Sequence, residues 1–509
     1  MSVLEIAVER QRYSETAAKT VLQKVFSFPA VLGAALVAGI YVPLRAFAVD
    51  PDVWWHIKVG EGILATHRWP TADTYSFTAY GSPWISYEWL GEVLLAAVNR
   101  LGGMTALLAL NVVLAAAVVS AIYAYASMRS RNCKAAFVAV VALLPIAYLS
   151  FTLRPQMVGY LFLVLTLIIL ERFRQGHTRE VWLLPPIFLL WVNTHGTFVF
   201  GLFALGVYWG SGLVDIHWGG LESRFWTAAE RKQIALVALL CFMALAITPY
   251  GTQIAAYPLD MAFGQPINVA NIQEWQPVAF ELFYGKLFLF LLVGFILAQV
   301  TLRPKWRLEE FTLFLVGLVA LCLHARFVLI FVPFFAPLLA TVLAKWVPPY
   351  EAGQDPHGFN AILLPAILAL ILWLFPSPAK IGESVAEHFP VGALNYLRQH
   401  PVPGRMYNTY GYGGYLIYAA DGPNKVFIDG RADIYERLGV FSDYLSISRV
   451  AENTLILLRA YKIESCLIDR GEALGAVLAA SPQWQRVYGD KTSLLFVRRS
   501  PAAAAGAGK

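Results

Sequence analysis

The sequence predicts an α-helical polytopic membrane protein that carries a small C-terminal α/β domain. Three features lead there. Hydrophobic residues make up 58% of the chain and charged residues 14%. Apolar stretches of about 17 to 25 residues, the length that crosses a hydrocarbon core as a helix, recur from Phe28 to Phe375. From Ile381 onward the pattern becomes that of a water-soluble domain. The mean hydropathy of +0.58 makes the bilayer the first solvent to consider.

The length rule marks spans at 29–49, 104–127, 135–152, 157–171, 181–193, 197–214, 233–249, 285–301, 310–324, 327–345 and 361–377, about eleven in all. Segment 84–101 is apolar but carries Glu88 and Glu92, each costing about 2.5–3.5 kcal/mol at a bilayer centre. It is therefore assigned to a helix lying in the outer interface. With that segment left out, basic clusters at the N-terminus, Arg129/Arg131/Lys134, Arg172/Arg174/Arg179, Arg224/Arg231/Lys232, Arg303/Lys305/Arg307 and Lys345 share one side, as cytoplasmic loops do. Lys58, Arg68, Arg100, Arg154, Lys286 and Arg326 fall on the other.

An odd number of spans puts the C-terminal domain outside. The organisation expected is a cytoplasmic N-terminal helix over 1–28 and a transmembrane domain over 29–380 whose first outer loop is 50–103. A soluble extracytoplasmic α/β domain over 381–500 and a disordered tail over 501–509 complete it. The location expected is the inner (plasma) membrane, multi-pass.

The net charge of +6 sits in short clusters between apolar segments, without a basic face of interleaved aromatics, which excludes a nucleic-acid partner. Cys133, Cys241, Cys322 and Cys466 are far apart, so neither a disulfide framework nor a zinc spacing follows.

Polar residues that packing explains least gather on the outer face. They are Asp50, Asp52, His56 and Glu88 in the first outer loop, then Arg154, Asn193, His195, Glu274, His324 and Arg326 at outer span ends. Ionisable groups near membrane depth are costly and mark pathways or sites. Within the loop, Val53, Ile57 and Ile63 share a helix face with Trp54, so an amphipathic helix in the interface is expected. Asp52 reads as its N-cap, and the two tryptophans as anchors at headgroup depth. Asp50 has no such capping role.

The Asp50-Pro51-Asp52 pair, the helix after it, Trp69 to Phe77 and Ser82 to Leu90 together resemble the first outer loop of the superfamily C (GT-C) glycosyltransferases. The protein O-mannosyltransferase and aminoarabinose-transferase branches are the nearest analogues; the oligosaccharyltransferase branch, whose soluble domain carries a tryptophan-aspartate signature, is disfavoured because no counterpart follows residue 381. The resemblance covers residues 29–345 in architecture and 50–92 in motifs. It implies that this loop holds juxtamembrane helices and an acidic catalytic base, and that the sugar donor rides on a polyprenyl phosphate. The better-studied branches usually show Asp-Glu where this chain has Asp-Pro-Asp, so either aspartate fits the base; Gly60 and Ile63, aligned with the family's helix, favour Asp52. The chain also resembles bacterial membrane proteins with an Asp-Pro-Asp-hydrophobic-Trp-Trp-His signature, for which Val426 to Asp433 is a second shared string.

The chemistry matches these residue types. Attack by an acceptor hydroxyl on an anomeric carbon needs a carboxylate to take the proton, and the departing phosphate needs cationic donors. Asp52 or Asp50 supplies the first. Arg154, Arg326, His195 and His324 supply the second, Arg326 foremost because a guanidinium binds phosphate bidentately. His56, Glu88 and Glu274 complete the expected substrate site. Carboxylates at 50, 52 and 88 offer oxygen ligands to a divalent cation, but the nearest branches do without one, so no metal or cofactor is expected. The expected partners are a polyprenyl-phosphate sugar lipid, membrane lipids and an extracytoplasmic glycan, lipid or protein acceptor.

The loop from Pro249 to Pro277 is long enough to serve as a lid or to pack on the soluble domain. In that domain, strands are expected at Arg405–Asn408, Tyr415–Tyr418, Lys425–Ile428, Ser465–Ile468, Gln485–Tyr488 and Leu494–Val497. Gly411 to Tyr415 reads as a tight turn. Asp429, Arg431 and Asp433 are positioned to touch the acceptor or to form an internal ion pair. A transporter or flippase would want broken helices and repeats, which are not evident. An assembly scaffold would tolerate loss of the outer aspartates.

Overall fold

A computed structural model describes residues 22–46, 50–402, 404–419 and 425–499. Most of the N-terminal helix expected over 1–28 and the tail expected over 501–509 lie outside the described residues.

Each apolar segment marked in the sequence coincides with a helix. In chain order these are α1 (Phe28–Leu44), α3 (Trp89–Ser130), α4 (Cys133–Ala147), α5 (Gln156–Arg174), α6 (Leu184–Val192), α7 (Phe198–Ser211), α8 (Ala228–Met243), α11 (Phe283–Leu302), α12 (Leu308–Leu323), α13 (Val328–Leu343) and α14 (His357–Trp373). Between them lie α2 (Val53–Thr66), α9 (Gln253–Phe263) and α10 (Pro266–Asn271). Among the described residues, four helical stretches are long and apolar enough to cross a membrane alone, and the bent pair His357–Trp373 and Pro378–His388 makes a fifth. Two of the shorter helices, α4 and α8, are finished by 3-10 turns, Tyr148–Ser150 and Ala244–Ala246.

The segment 84–101 is helical only from Trp89, where it opens α3. Gly102 (φ −167°) and Gly103 (φ 59°) break α3, and the part before the break packs on α2. Gly60 of α2 sits against the Glu92 backbone, with Ala96 on the same face, so the two helices meet with little side chain between them. Only glycine is small enough there.

Two ionic groups mark opposite ends of the helices. At one end Arg129 pairs with Glu310, Arg174 with Glu309, and Arg307 with Glu171 at 2.7 Å. The loops read as sharing the basic side therefore do meet. Next to them, β1 (Ile216–Trp218), β2 (Leu221–Ser223) and β3 (Trp306–Arg307) form a small sheet.

The C-terminal part begins with α15 (Pro378–His388) and α16 (Val391–Gln399). Its sheet runs in the order β4 (Arg405–Asn408), β5 (Ile463–Asp469), β7 (Ser493–Arg498), β6 (Trp484–Gly489), with β4 and β5 parallel and the other pairs antiparallel. Helices α17 (Tyr410–Ala419), α18 (Ala432–Arg437), α19 (Val440–Ser448), α20 (Thr454–Ala460) and α21 (Leu474–Ala480) surround it.

Three expectations fail here. Tyr415–Tyr418 and the glycines before it are helical, in α17, rather than a strand and a tight turn. A Cβ on Gly414 would lie 2.5 Å from the Pro51 carbonyl oxygen, so the glycines serve close approach to the first loop. Lys425–Ile428 joins no ladder of the sheet: Val426 forms a single parallel bridge to Ser76, and Asn408 bonds the Phe427 N–H and the Ile428 carbonyl.

The first loop and the C-terminal part share one apolar core. Trp54 is 2% exposed. It packs against Tyr418, Tyr415 and Phe389 at centroid distances of 5.0, 5.1 and 5.5 Å. Burial of a side chain this size stabilises by at least about 1.5–3 kcal/mol. Trp54 and Trp55 are therefore core residues rather than headgroup anchors: aromatic residues of the C-terminal part cover Trp54, and Trp55 is buried against His56 and Trp84 of the first loop.

Candidate active site

Where α2, the α4–α5 turn, the α10–α11 turn and the C-terminal part meet, a cavity of about 620 Å³ opens. Asp50, Asp52, His56, Glu88, Arg154, His195, Glu274 and Arg326 all line it. Of the polar residues singled out on that face, Asn193 and His324 do not. Asn193 accepts the Trp89 indole N–H at 2.8 Å, and the His324 Nδ1–H donates to the Trp275 carbonyl at 2.6 Å, so His324 braces the wall from behind.

Arg154 is the centre of the polar cluster. Its Nε donates to Asp50 at 2.6 Å, its Nη2 lies 2.9 Å from Asp52, and its Nη1 lies 3.3 Å from Glu274. Asp50 also accepts the Asp52 N–H at 2.9 Å, so both its oxygens are engaged. The expected capping role of Asp52 is not realised. Asp52 stands at the N-cap position of α2 but its side chain caps nothing; Oδ1 accepts the Trp55 indole N–H at 3.2 Å. Burial pushes the Asp52 carboxyl up to about 7, against the pull of Arg154 and with the help of Asp50 and Glu274. A carboxylate near neutrality suits a general base.

Arg326 stacks on Trp275, 4.0 Å from the ring centroid, and reaches Glu274 at 3.4 Å. Two guanidiniums thus flank one carboxylate at the mouth of the cavity.

Beside this cluster runs a buried chain of polar contacts. The Trp191 indole donates to Thr197 Oγ1 at 3.0 Å, and the Thr197 N–H donates to His195 Nδ1 at 3.1 Å. The His195 ring proton is therefore on Nε2, facing Glu88 Oε1 at 3.1 Å. Glu88 continues to His56 Nε2 at 3.4 Å, and His56 Nδ1 to Glu92 at 3.2 Å, with Ser86 beyond. Burial, Arg326 and Arg154 push His195 down to about 3, and burial first, then Arg154 and His195, hold His56 well below the usual histidine range. Both shifts favour the neutral imidazole. His195 therefore offers hydrogen bonds and not the positive charge expected of it. Burial, then the Glu92 charge, raises Glu88 well above the carboxylate range. Burial favours the neutral carboxyl, and hydrogen bonding with His56, His195 and Ser86 satisfies it, which is what lets Glu88 and Glu92 lie in an apolar segment.

The C-terminal part closes one side. Tyr410, Gly430, Arg431, Ala432 and Asp433 all line the cavity. Arg431 holds Asp429 through two hydrogen bonds of 2.8 and 2.6 Å and reaches Asp73 of the first loop at 2.7 Å. Asp429 and Arg431 thus form the internal pair, while Asp433 faces the cavity; burial pushes its carboxyl up to about 6. The 249–277 loop packs on the same part. Glu436 accepts the Ile267 and Asn268 N–H groups at 2.9 and 2.8 Å, and Arg437 pairs with Asp260. That loop also supplies Tyr257, Met261 and Glu274 to the cavity wall.

Sequence reasoning missed Trp55 as a partner of Asp52, Glu92 as a member of the polar chain, and Tyr410 and Gly430 as cavity walls. Glu92 alone left a signal, a charge in an apolar run. Below the polar cluster the wall turns apolar, with Ile146, Val278, Phe288, Leu321 and Val328. Among the described residues no group of three His, Cys, Asp or Glu side chains is arranged to hold a metal ion. The carboxylates of Asp50, Asp52 and Glu274 do converge, but on the Arg154 guanidinium, so this donor set does not fit a divalent cation.

No family model matches the sequence, and neither does any curated protein. Solved structures do. The Archaeoglobus fulgidus oligosaccharyltransferase, tethered with an acceptor peptide containing the NVT sequon, is similar at TM-score 0.50 and 12% identity, over 88% of this chain and 70% of that one. ArnT from Cupriavidus metallidurans, bound to undecaprenyl phosphate, is similar at TM-score 0.49 and 14% identity, over 93% of this chain and 98% of that one. At such identity the likeness to the archaeal structure speaks for fold alone. The fold of this chain is shared with that archaeal oligosaccharyltransferase.

Proposed function

We propose that the chain is a membrane glycosyltransferase that moves a sugar from a polyprenyl-phosphate-linked donor to an acceptor on the extracytoplasmic face. One observation carries this reading: Asp52 and the guanidiniums of Arg154 and Arg326 line a single cavity whose wall continues into apolar side chains. The likeness in fold to an oligosaccharyltransferase is consistent with it.

In this reading the acceptor hydroxyl attacks the anomeric carbon while Asp52 takes its proton. The bond from that carbon to the phosphate oxygen breaks, and polyprenyl phosphate leaves against Arg326. Arg154 holds Asp50 and Asp52 in place and supplies the positive charge a metal ion would bring, so the reaction proceeds without one. Glu88, His56 and His195 offer neutral hydrogen-bonding groups to the sugar. Ile146, Phe288, Leu321 and Val328 receive the first isoprene units. The distribution of basic loops supports a cytoplasmic N-terminus, a plasma-membrane location and an outward-facing cavity.

The experiment is turnover in nanodiscs with a panel of undecaprenyl-phosphate-linked sugars, read as release of undecaprenyl phosphate. Asp52→Asn is expected to abolish release and Asp50→Asn to reduce it. Full release by both single variants and by the double variant would overturn the aspartate base.

A further inference from the structure

Glu274 belongs to the 3-10 turn Gln273–Trp275 between α10 and α11. Its carboxylate touches both cavity arginines, Oε2 at 3.3 Å from Arg154 and Oε1 at 3.4 Å from Arg326. These contacts are longer than those of Arg154 to Asp50 and Asp52, 2.6 and 2.9 Å. The Glu274 side chain is also the most open of the three, 34% exposed against 5% and 18%. Among the described residues Arg326 has no other ion pair. One carboxylate spread loosely over two guanidiniums, beside an apolar wall, has the shape of an anion site filled by the chain's own anion.

We propose that Glu274 is a placeholder for the phosphate of the lipid ligand. It neutralises Arg326, touches the free edge of Arg154, and yields its place when a lipid phosphate arrives. The inference rests on the proposed polyprenyl-phosphate donor and adds how that site is regulated. Without an anion there, the Arg326 guanidinium would carry uncompensated charge beside apolar side chains. A phosphate presents more acceptor oxygens than a carboxylate and spans both forks. The exchange needs no loop to unfold. The Trp275 carbonyl is held by His324 at 2.6 Å and the Gln276 carbonyl accepts the Ala325 N–H at 2.9 Å, so the turn stays anchored while the side chain swings. The returning carboxylate then competes with the lipid phosphate left after transfer and helps to expel it.

The test is binding of undecaprenyl phosphate to the full chain in nanodiscs of zwitterionic lipid, with inorganic phosphate as a separate competitor. A placeholder, once neutralised, stops competing. Glu274→Gln and Glu274→Ala are each expected to bind undecaprenyl phosphate about tenfold more tightly than the unaltered chain, and Arg326→Ala more weakly. Competition by inorganic phosphate assigns the site to the phosphate itself; its absence makes the isoprene tail part of the recognition, with the placeholder judged by the variants alone. Equal or weaker binding by both Glu274 variants, with the unaltered chain binding and Arg326→Ala not, overturns the placeholder and leaves the donor reading standing. No binding by the unaltered chain removes both.

Discussion

Gly430 lies so close to Asp52 that a Cβ placed on it would overlap the Asp52 Oδ1 atom. A backbone of the C-terminal part thus presses directly on the carboxylate that the first loop presents to the cavity. Gly430→Ala forces one of them to move. Overpacking of this kind costs about 1–3 kcal/mol, and the expected outcome is a lowered melting temperature with sugar transfer reduced at least as far as by Asp50→Asn. Unchanged turnover in Gly430→Ala would mean that Asp52 does not need this contact.

Because burial raises the Asp52 carboxyl to about 7, and a base acts only when ionised, kcat/KM is expected to climb about tenfold per pH unit below that point and to level off above it. Arg154 lowers this value, so Arg154→Gln shifts the limb to higher pH. The stability linkage has a definite sign. A raised carboxyl stabilises the fold in full below the unfolded carboxylate range, and that contribution disappears as pH rises through about 7. A pH–rate profile of the unaltered chain without a limb near neutrality would contradict the assignment.

Arg154→Ala leaves Asp50, Asp52 and Glu274 converging on an empty centre. Removing one partner from a buried ionic cluster costs about 3–5 kcal/mol. With no cation among them the carboxylates repel one another, so Asp50→Asn placed in the Arg154→Ala background is expected to recover part of the lost melting temperature. A double variant no more stable than Arg154→Ala would show that the guanidinium does not serve to hold the carboxylates together.

At the far end of the helices, Arg129 pairs with Glu310 and Arg307 reaches Glu171 at 2.7 Å and Glu310 at 3.6 Å. Arg129→Ala is expected to destabilise by about 3–5 kcal/mol, and the double replacement Arg129→Gln, Glu310→Gln by clearly less, since no lone charge remains. Binding of undecaprenyl phosphate to whatever stays folded is expected to be unchanged. A selective loss of that binding would reveal coupling between the two ends.

The sequence determined by itself where the helices lie, because hydrophobic run length is a local property and each marked segment did become a helix. It also determined that Asp52, Arg154, Glu274 and Arg326 belong to one face, since alternation across the membrane assigns each loop to a side. Tertiary structure decided the rest. Whether Tyr415–Tyr418 is strand or helix turns on Gly414 packing against Pro51, which no short apolar run encodes. Which carboxylate is held and which is poised depends on Arg154 reaching Asp50 across 104 residues of chain and Glu274 across 120. Gly430 and Tyr410 reach the cavity because Trp54 is buried by Phe389, Tyr415 and Tyr418. Such contacts join residues that are distant in sequence, and their energy comes from desolvation and charge pairing in three dimensions, which leave no periodic trace along the chain.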